Sequence, residues 1–302
     1  MTTDAIKPIT SRSTLRLLDA ANILRDAPED TDRAYLARQL IQCTLPHSNP
    51  GNVPIWSREN GRLTLSIQPE YSDGEHRYPY GVLPRLIMLW ICSEAARTKS
   101  RRLSLGPSFA AFMRSLGLNP SSGGKRSDAV RLRDQLTRLL HARISFHQTY
   151  TSGTHQGSSN LFLQVADADQ LWWNEAKDDK QDALFESWIE LGEKFFEAVT
   201  AAPVPLDMRA IHGLRNSPLA LDLYGLVAHT TFRANRKRES QTIPWEGLQR
   251  QIGTDLPIRM FRLRVKDALR KIKLVYPAMQ VEVSKKGFIV SPAPTPIAAQ
   301  SS

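Results

Sequence analysis

Two stretches of this chain have helical period and are rich in arginine, and each is flanked by the same order of elements. The first, SDAVRLRDQLTRLLH (127–141), places Ala129, Leu132, Leu136, Leu139 and Leu140 on one face. Ser127, Arg131, Asp134 and Arg138 fall on the opposite face. The second, from Pro257 to Leu274, buries Phe261, Val265, Leu269 and Ile272 and presents Arg259, Arg262, Lys266 and Arg270. A two-faced helix of this kind must dock its apolar side on a partner, so the flanking sequence decides the fold.

Before the first stretch, Pro84 to Thr98 reads as a helix carrying Leu86, Leu89, Trp90 and Ile91, with a proline in its first turn. RRLSL (101–105) reads as a short strand, and Pro107 to Leu116 as a helix closed by Gly117. After it, RISFHQT (143–149) alternates as a strand, YTSGTHQGSSN (150–160) is a loop of turn residues, and LFLQV (161–165) returns. In the second half the order recurs. A helix spans 218–233, QTI (241–243) is a short strand, and PWEGLQRQIG (244–253) a short helix. MQVEV (279–283), a turn SKKG and FIV (288–290) then form a hairpin. Helix, short strand, helix, helix, hairpin is the order of a winged helix. The predicted class is α+β, mainly helical, with two winged-helix domains in tandem. The boundaries are an N-terminal helical extension (1–60), a first winged helix (61–170), an acidic helical connector (171–203), a second winged helix (204–292) and a disordered tail (293–302). In the extension, Ser11 to Thr44 reads as helical.

Charge follows the same division. Arg97 to Arg143 holds eleven Lys/Arg against two Asp/Glu, and Arg233 to Lys273 twelve against four. Asp167 to Glu197 holds ten Asp/Glu against three Lys. Net charge is +10, which points to a polyanionic partner and says nothing about fold. A recognition helix needs an apolar back and long donors in front, for phosphates and base edges. The candidate DNA-binding residues are therefore Lys125, Arg126, Ser127, Arg131, Asp134 and Arg138 in the first block. In the second they are Arg259, Arg262, Lys266 and Arg270, with Lys285 and Lys286 at the tip of the hairpin. Asp134 can instead orient Arg131 or Arg138 through an i,i+3 or i,i+4 pair.

Gly123-Gly124-Lys125 invites a nucleotide reading, which fails. A phosphate loop requires glycine at the position of Asn119 and a hydroxyl at that of Arg126. It also requires a preceding buried strand, whereas FAAFMRSLGL (109–118) is amphipathic at helical period, with Phe109, Phe112, Met113 and Leu116 on one face. The two cysteines, Cys43 and Cys92, form no CxxC and no Cys/His cluster, which fits a reducing cytoplasm and argues against structural zinc. The most apolar run, GVLPRLIMLWICSEAA (81–96), carries Arg85 and Glu94 and is shorter than a membrane span. It reads as a buried helix, and MTTDAIKPITSRS has no signal-peptide core.

Whole phrases of the chain resemble the RepA-type plasmid replication initiators. They are LPHSNPGNVPIWSRENGRLTLSIQPEY (45–71), YPYGVLPRLIMLW (78–90), ARTKSRRLSLGPSFAAFMRSLGL (96–118) and RLRDQLTRLLHARIS (131–145). In the second half, SPLALDLYGLVAH (217–229), IPWEGLQRQIG (243–253) and ALRKIKLVYPAMQVEV (268–283) join them, so the resemblance runs from about Arg38 to Pro292. It implies a bacterial, cytoplasmic, plasmid-encoded protein that binds repeated sequences (iterons) in double-stranded origin DNA. It implies recruitment of host replication proteins, an initiator and a helicase, and a homodimer that represses its own gene and controls copy number. The family offers no catalytic motif to carry over.

No His-x-His pair accompanies a tyrosine, as a nicking initiator would need, and although the acids clustered from Asp178 to Glu197 invite magnesium, the run ALFESWIELGEKFFEAV (183–199) has an apolar stripe and reads as an amphipathic connector. The expectation is a DNA-binding protein with no enzymatic activity, no cofactor, no metal and no membrane. A transcriptional repressor of the same fold is the alternative, and an ATP-dependent helicase or nicking enzyme the reading furthest from these residues.

Overall fold

The computed structural model describes residues 12–24, 28–29, 32–121, 124, 127–152, 155–171, 187–201, 203–252 and 256–297. The first part of the chain runs α1 (Arg12–Ile23), β1 (Arg33–Ala37), α2 (Arg38–Gln42), β2 (Trp56–Asn60), β3 (Leu63–Gln68), β4 (Glu70–Ser72) and β5 (Glu75–Arg77). It continues through α3 (Val82–Thr98), β6 (Arg102–Ser104), α4 (Phe109–Ser115), α5 (Asp128–His141), β7 (Arg143–Ser152) and β8 (His155–Gln164). Then come β9 (Ala166–Gln170), β10 (Trp188–Leu191), α6 (Glu193–Ala201), β11 (Pro203–Asp207) and α7 (Met208–Leu214). The chain closes with α8 (Pro218–Lys237), β12 (Gln241–Pro244), α9 (Trp245–Ile252), α10 (Ile258–Val275), β13 (Val281–Val283) and β14 (Gly287–Val290).

α3 is the mixed fold's central post. Leu83, Leu86, Ile87, Leu89, Trp90, Ile91, Cys92 and Ala95 are all buried, as an all-round apolar helix must be. Trp90 meets Phe112 of α4 edge-on at 4.9 Å between ring centroids. α4 ends as its sequence requires: Gly117 adopts φ +70, its N–H bonds the Arg114 carbonyl and Leu118 N–H bonds that of Met113. The apolar stripe of α5 (Leu132, Leu136, Leu139, Leu140) and that of α10 (Phe261, Val265, Leu269, Ile272) are buried as their period predicts.

The two halves differ in how their hairpins are held. In the second half, β12 and the hairpin β13–β14 form one sheet of order β12-β14-β13. In the first half the short strand β6 pairs with β10 instead, and the hairpin β7–β8 joins β2 and β3 in a four-stranded sheet, order β2-β3-β7-β8.

Several sequence expectations are corrected. Ser11 to Thr44 is not one helical stretch: Arg33–Ala37 is a strand, because it finds β11 as antiparallel partner. β2 lies before the expected boundary at 61 yet belongs to the hairpin's sheet, through β3. The turn-rich segment 150–160 is mostly strand, since β8 pairs with β7 from Ser152↔His155 to Arg143↔Gln164. The connector is not wholly helical, because Trp188–Leu191 is a strand held between β6 and β9, and among its described residues helix is confined to Glu193–Ala201. Residues 172–186 lie outside the described residues. The expected tail is docked as far as Ile297, which is buried: Asn235 exchanges two hydrogen bonds with the Ala293 backbone and the Tyr276 hydroxyl donates to the Pro294 carbonyl.

One apolar core runs through both halves. Within it, Arg85 of α3 points at Asp222 of α8. Its guanidinium donates two hydrogen bonds to the Asp222 carboxylate at 2.8 Å and three more to the carbonyls of Pro46, Gly81 and Leu45. His47 Nε2 lies 2.7 Å from the same carboxylate. Burial favours the neutral acid, but Arg85 and His47 outweigh it and hold the Asp222 carboxyl at about 2. Burial also pushes His47 below its ordinary value, so the imidazole is neutral and donates through Nε2. Thus the charged residue that interrupts the apolar run of α3 is a bolt between the halves.

Candidate nucleic-acid interface

The second arginine-rich helix carries the more open basic face. Arg259, Arg262, Lys266 and Arg270 follow spacings of three, four and four, which stack them along one side of α10. Arg259, Lys266 and Arg270 are exposed, and among the described residues none has a carboxylate within 4 Å. The remaining lysines of the helix are engaged: Lys271 pairs with Asp267 at 2.8 Å and Lys273 donates to the Met279 carbonyl at 2.7 Å.

Trp245, the first residue of α9, ties this face to the hairpin. The Arg262 guanidinium stands 5.6 Å from the Trp245 ring, the indole N–H donates to the Ser284 carbonyl, and the ring meets Phe288 edge-on. The turn between β13 and β14 is stapled by Ser284, whose Oγ accepts from the backbone N–H groups of Lys286 and Gly287. Lys285 and Lys286 therefore project, exposed, from an ordered turn. The order of sequence residues reveals the stripe and the lysine tip separately. It does not reveal Trp245 as the joint, although a tryptophan directly after a strand's Pro244 is the signal available.

The first block is arranged otherwise. Ser127 is only 7% exposed and its hydroxyl caps α5 by accepting from the Val130 N–H, so it orders the helix start and is withdrawn from the outer face. Arg131 does face solvent, its side chain 60% exposed, with Asp128 at 3.5 Å. Asp134 accepts from Arg77 at 3.0 Å and from Arg138 at 2.9 Å, the i,i+4 geometry. The Arg138 side chain is 18% exposed and also reaches the Tyr78 carbonyl. Asp134 and Arg138 thus fasten α5 to the β5 edge and present few donors outward. Lys125 and Arg126 lie outside the described residues.

Among the described residues no group of His, Cys, Asp and Glu is arranged to hold a metal ion. Burial pushes the Cys43 and Cys92 thiols up to about 12. Among the described residues no helix is long and apolar enough to cross a membrane.

A family model described as plasmid-encoded RepA protein matches residues 78–247, more than half of the chain. The chain belongs to the RepA family. The matched part holds both ends of the Arg85–Asp222 bolt, all of α5 and the Trp245 joint, while α10 and the lysine turn lie beyond it. Among solved structures, domains 2 and 3 of RctB, as a selenomethionine derivative, share the fold with a TM-score of 0.52 at 11% identity. That alignment covers 86% of this chain and 99% of that one. A second structure of RctB domains 2–3 gives 0.49 at 11% identity, over 83% and 94% of the two chains. No curated protein sequence matches the chain.

Proposed function

We propose that this RepA-family protein initiates plasmid replication in the bacterial cytoplasm by binding repeated sequences in the double-stranded origin. The observation that carries the reading is the basic wall of the second half, where the α10 stripe and the Lys285-Lys286 turn are joined through Trp245. As a winged helix, this half would lay α10 in the major groove and the turn on the adjacent backbone. Arg259, Lys266 and Arg270 then supply base-edge and phosphate donors, and Lys285 and Lys286 phosphate donors.

The first half contributes a second, subordinate contact through Arg131, as a winged-helix variant whose hairpin is built into a larger sheet. The protein acts without catalytic chemistry of its own. It hands the origin to host replication proteins and represses its own gene as a homodimer, which limits copy number.

The test is binding of the full chain to its own plasmid's origin and to scrambled duplex, with alanine at Arg259, Lys266 and Arg131 in turn. A base contact costs about 1–3 kcal/mol and relaxes one base position, whereas a phosphate contact weakens all sequences and lowers the salt slope by about 1. Arg259→Ala and Lys266→Ala are expected to weaken origin binding more than Arg131→Ala. Equal affinity for scrambled DNA would overturn the specific-reader proposal.

A further inference from the structure

A cleft of about 950 Å³, with no residue of α10 in its lining, opens where α8, the β1–α2 segment, the β2–β3 turn and the docked C-terminal segment converge. Five of its lining residues are arginines: Arg33, Arg38, Arg62, Arg233 and Arg236; no Asp or Glu lines it. Arg38, Arg62, Arg233 and Arg236 are exposed, and among the described residues none has a carboxylate within 4 Å. So many cations facing one cavity repel one another unless an anion is shared between them. Beside Arg233, Phe232 leaves 51% of its surface exposed, an open aromatic face on the rim of a charged cleft.

His229, at the base of the same wall, feels the field. Burial first, then Arg233 and Arg38, depress it to about 4.

The lining also narrows the anion's identity. It includes no carboxylate to hold magnesium on a triphosphate. What it offers is several forked phosphate donors from three parts of the chain and, in Phe232, an exposed aromatic face beside the half-buried Tyr35. That combination suits a nucleic-acid strand whose bases are unpaired. In a duplex the base faces are stacked away and Phe232 would have no partner. We propose that this cleft binds a single nucleic-acid strand, its phosphates on Arg38, Arg62, Arg233 and Arg236 and an unpaired base against Phe232.

The inference does not rest on origin recognition by α10, and the experiment separates the two. Fluorescence anisotropy with the full chain would use a labelled oligothymidylate of about twenty nucleotides, longer than the footprint of one strand-binding unit. The origin duplex would be measured in parallel. Arg38→Glu/Arg233→Glu should weaken strand binding at least tenfold, and the salt slope should fall by about 0.7 for every phosphate left without its arginine. Phe232→Ala should weaken strand binding about tenfold by removing the stacking face. Both variants should leave duplex affinity unchanged, and Arg38→Lys/Arg233→Lys should retain most strand binding. Should the double reversal fail to fold, Phe232→Ala, at an exposed position, decides alone. No strand binding by the native protein, or equal binding by the variants, overturns the inference. Competition by inorganic tripolyphosphate as strong as by unlabelled strand overturns the strand in favour of a small anion. If the duplex is not bound but strand binding persists and falls in the variants, the cleft stands and the origin reading fails.

Discussion

Asp222→Ala tests the bolt between the halves. The change removes two of the five hydrogen bonds of Arg85, together with its only counter-ion within reach among the described residues, and leaves His47 without its partner. The Arg85 and Asp222 side chains are 5% and 9% exposed, so water cannot replace the carboxylate without opening the core. Breaking a buried pair from one side costs about 3–5 kcal/mol, a large part of the roughly 5–15 kcal/mol that hold a typical domain. Urea unfolding followed by tryptophan fluorescence would read this as a lower midpoint at unchanged slope.

Replacing both charges, Arg85→Met/Asp222→Leu, should restore most of the stability, because the uncompensated charge is gone. The pH dependence is also determined. The Asp222 carboxyl sits at about 2, against 3.8 ordinarily. Its contribution is complete above the ordinary value and is lost as pH falls from there towards 2. A loss below about 1 kcal/mol in Asp222→Ala would refute the reasoning, since it would mean that the guanidinium is solvated or re-paired in the variant.

Three further outcomes follow from particular interactions. His229 is held at about 4 against 6.5 ordinarily, so the unfolded chain binds the proton more readily. Stability should fall by about 3 kcal/mol as pH drops from above 6.5 towards 4, and His229→Gln should flatten that part of the curve in pH-dependent urea titrations. Gly213 lets α7 approach α1, because a Cβ there would stand 2.9 Å from that of Ala20 and 3.3 Å from Val275 Cγ1. Gly213→Ala should cost about 1–3 kcal/mol by overpacking, measured as a lower thermal midpoint. Trp245→Ala should cost about 3–5 kcal/mol and also weaken DNA binding, with the binding defect persisting at temperatures where the variant remains folded.

The parts of this fold legible in sequence are those whose signal is local. α5 and α10 announce themselves through apolar residues at helical spacing, Gly117 through its position after a helix, and α3 through an unbroken apolar run. What sequence period could not show depends on a distant partner. RAYLA (33–37) carries only weak strand propensity and becomes β1 because Pro203–Asp207 lies alongside. WIEL (188–191) sits in a run of helical appearance and becomes β10 because β6 and β9 flank it. The turn residues 150–152 and 155–160 are drawn into β7 and β8 by the pairing of the two strands.

The site divides along the same line. The α10 stripe and its lysine turn stand where their spacing puts them, whereas Ser127 and Arg138 have local jobs, a cap and an anchor, that only the folded neighbours disclose. The arginines of the cleft are scattered from Arg33 to Arg236 and converge through tertiary structure alone.

The most direct test of the central claim is to map where the lysine turn sits on DNA. Cys43 and Cys92 are buried, and burial holds their thiols largely protonated, so a Lys285→Cys variant of the full chain can be labelled at one site with an iron chelate that cleaves nearby DNA. The account predicts cuts at one fixed offset in every origin repeat and none in scrambled duplex. Uniform cutting of both, or no cutting of a bound origin, would contradict it.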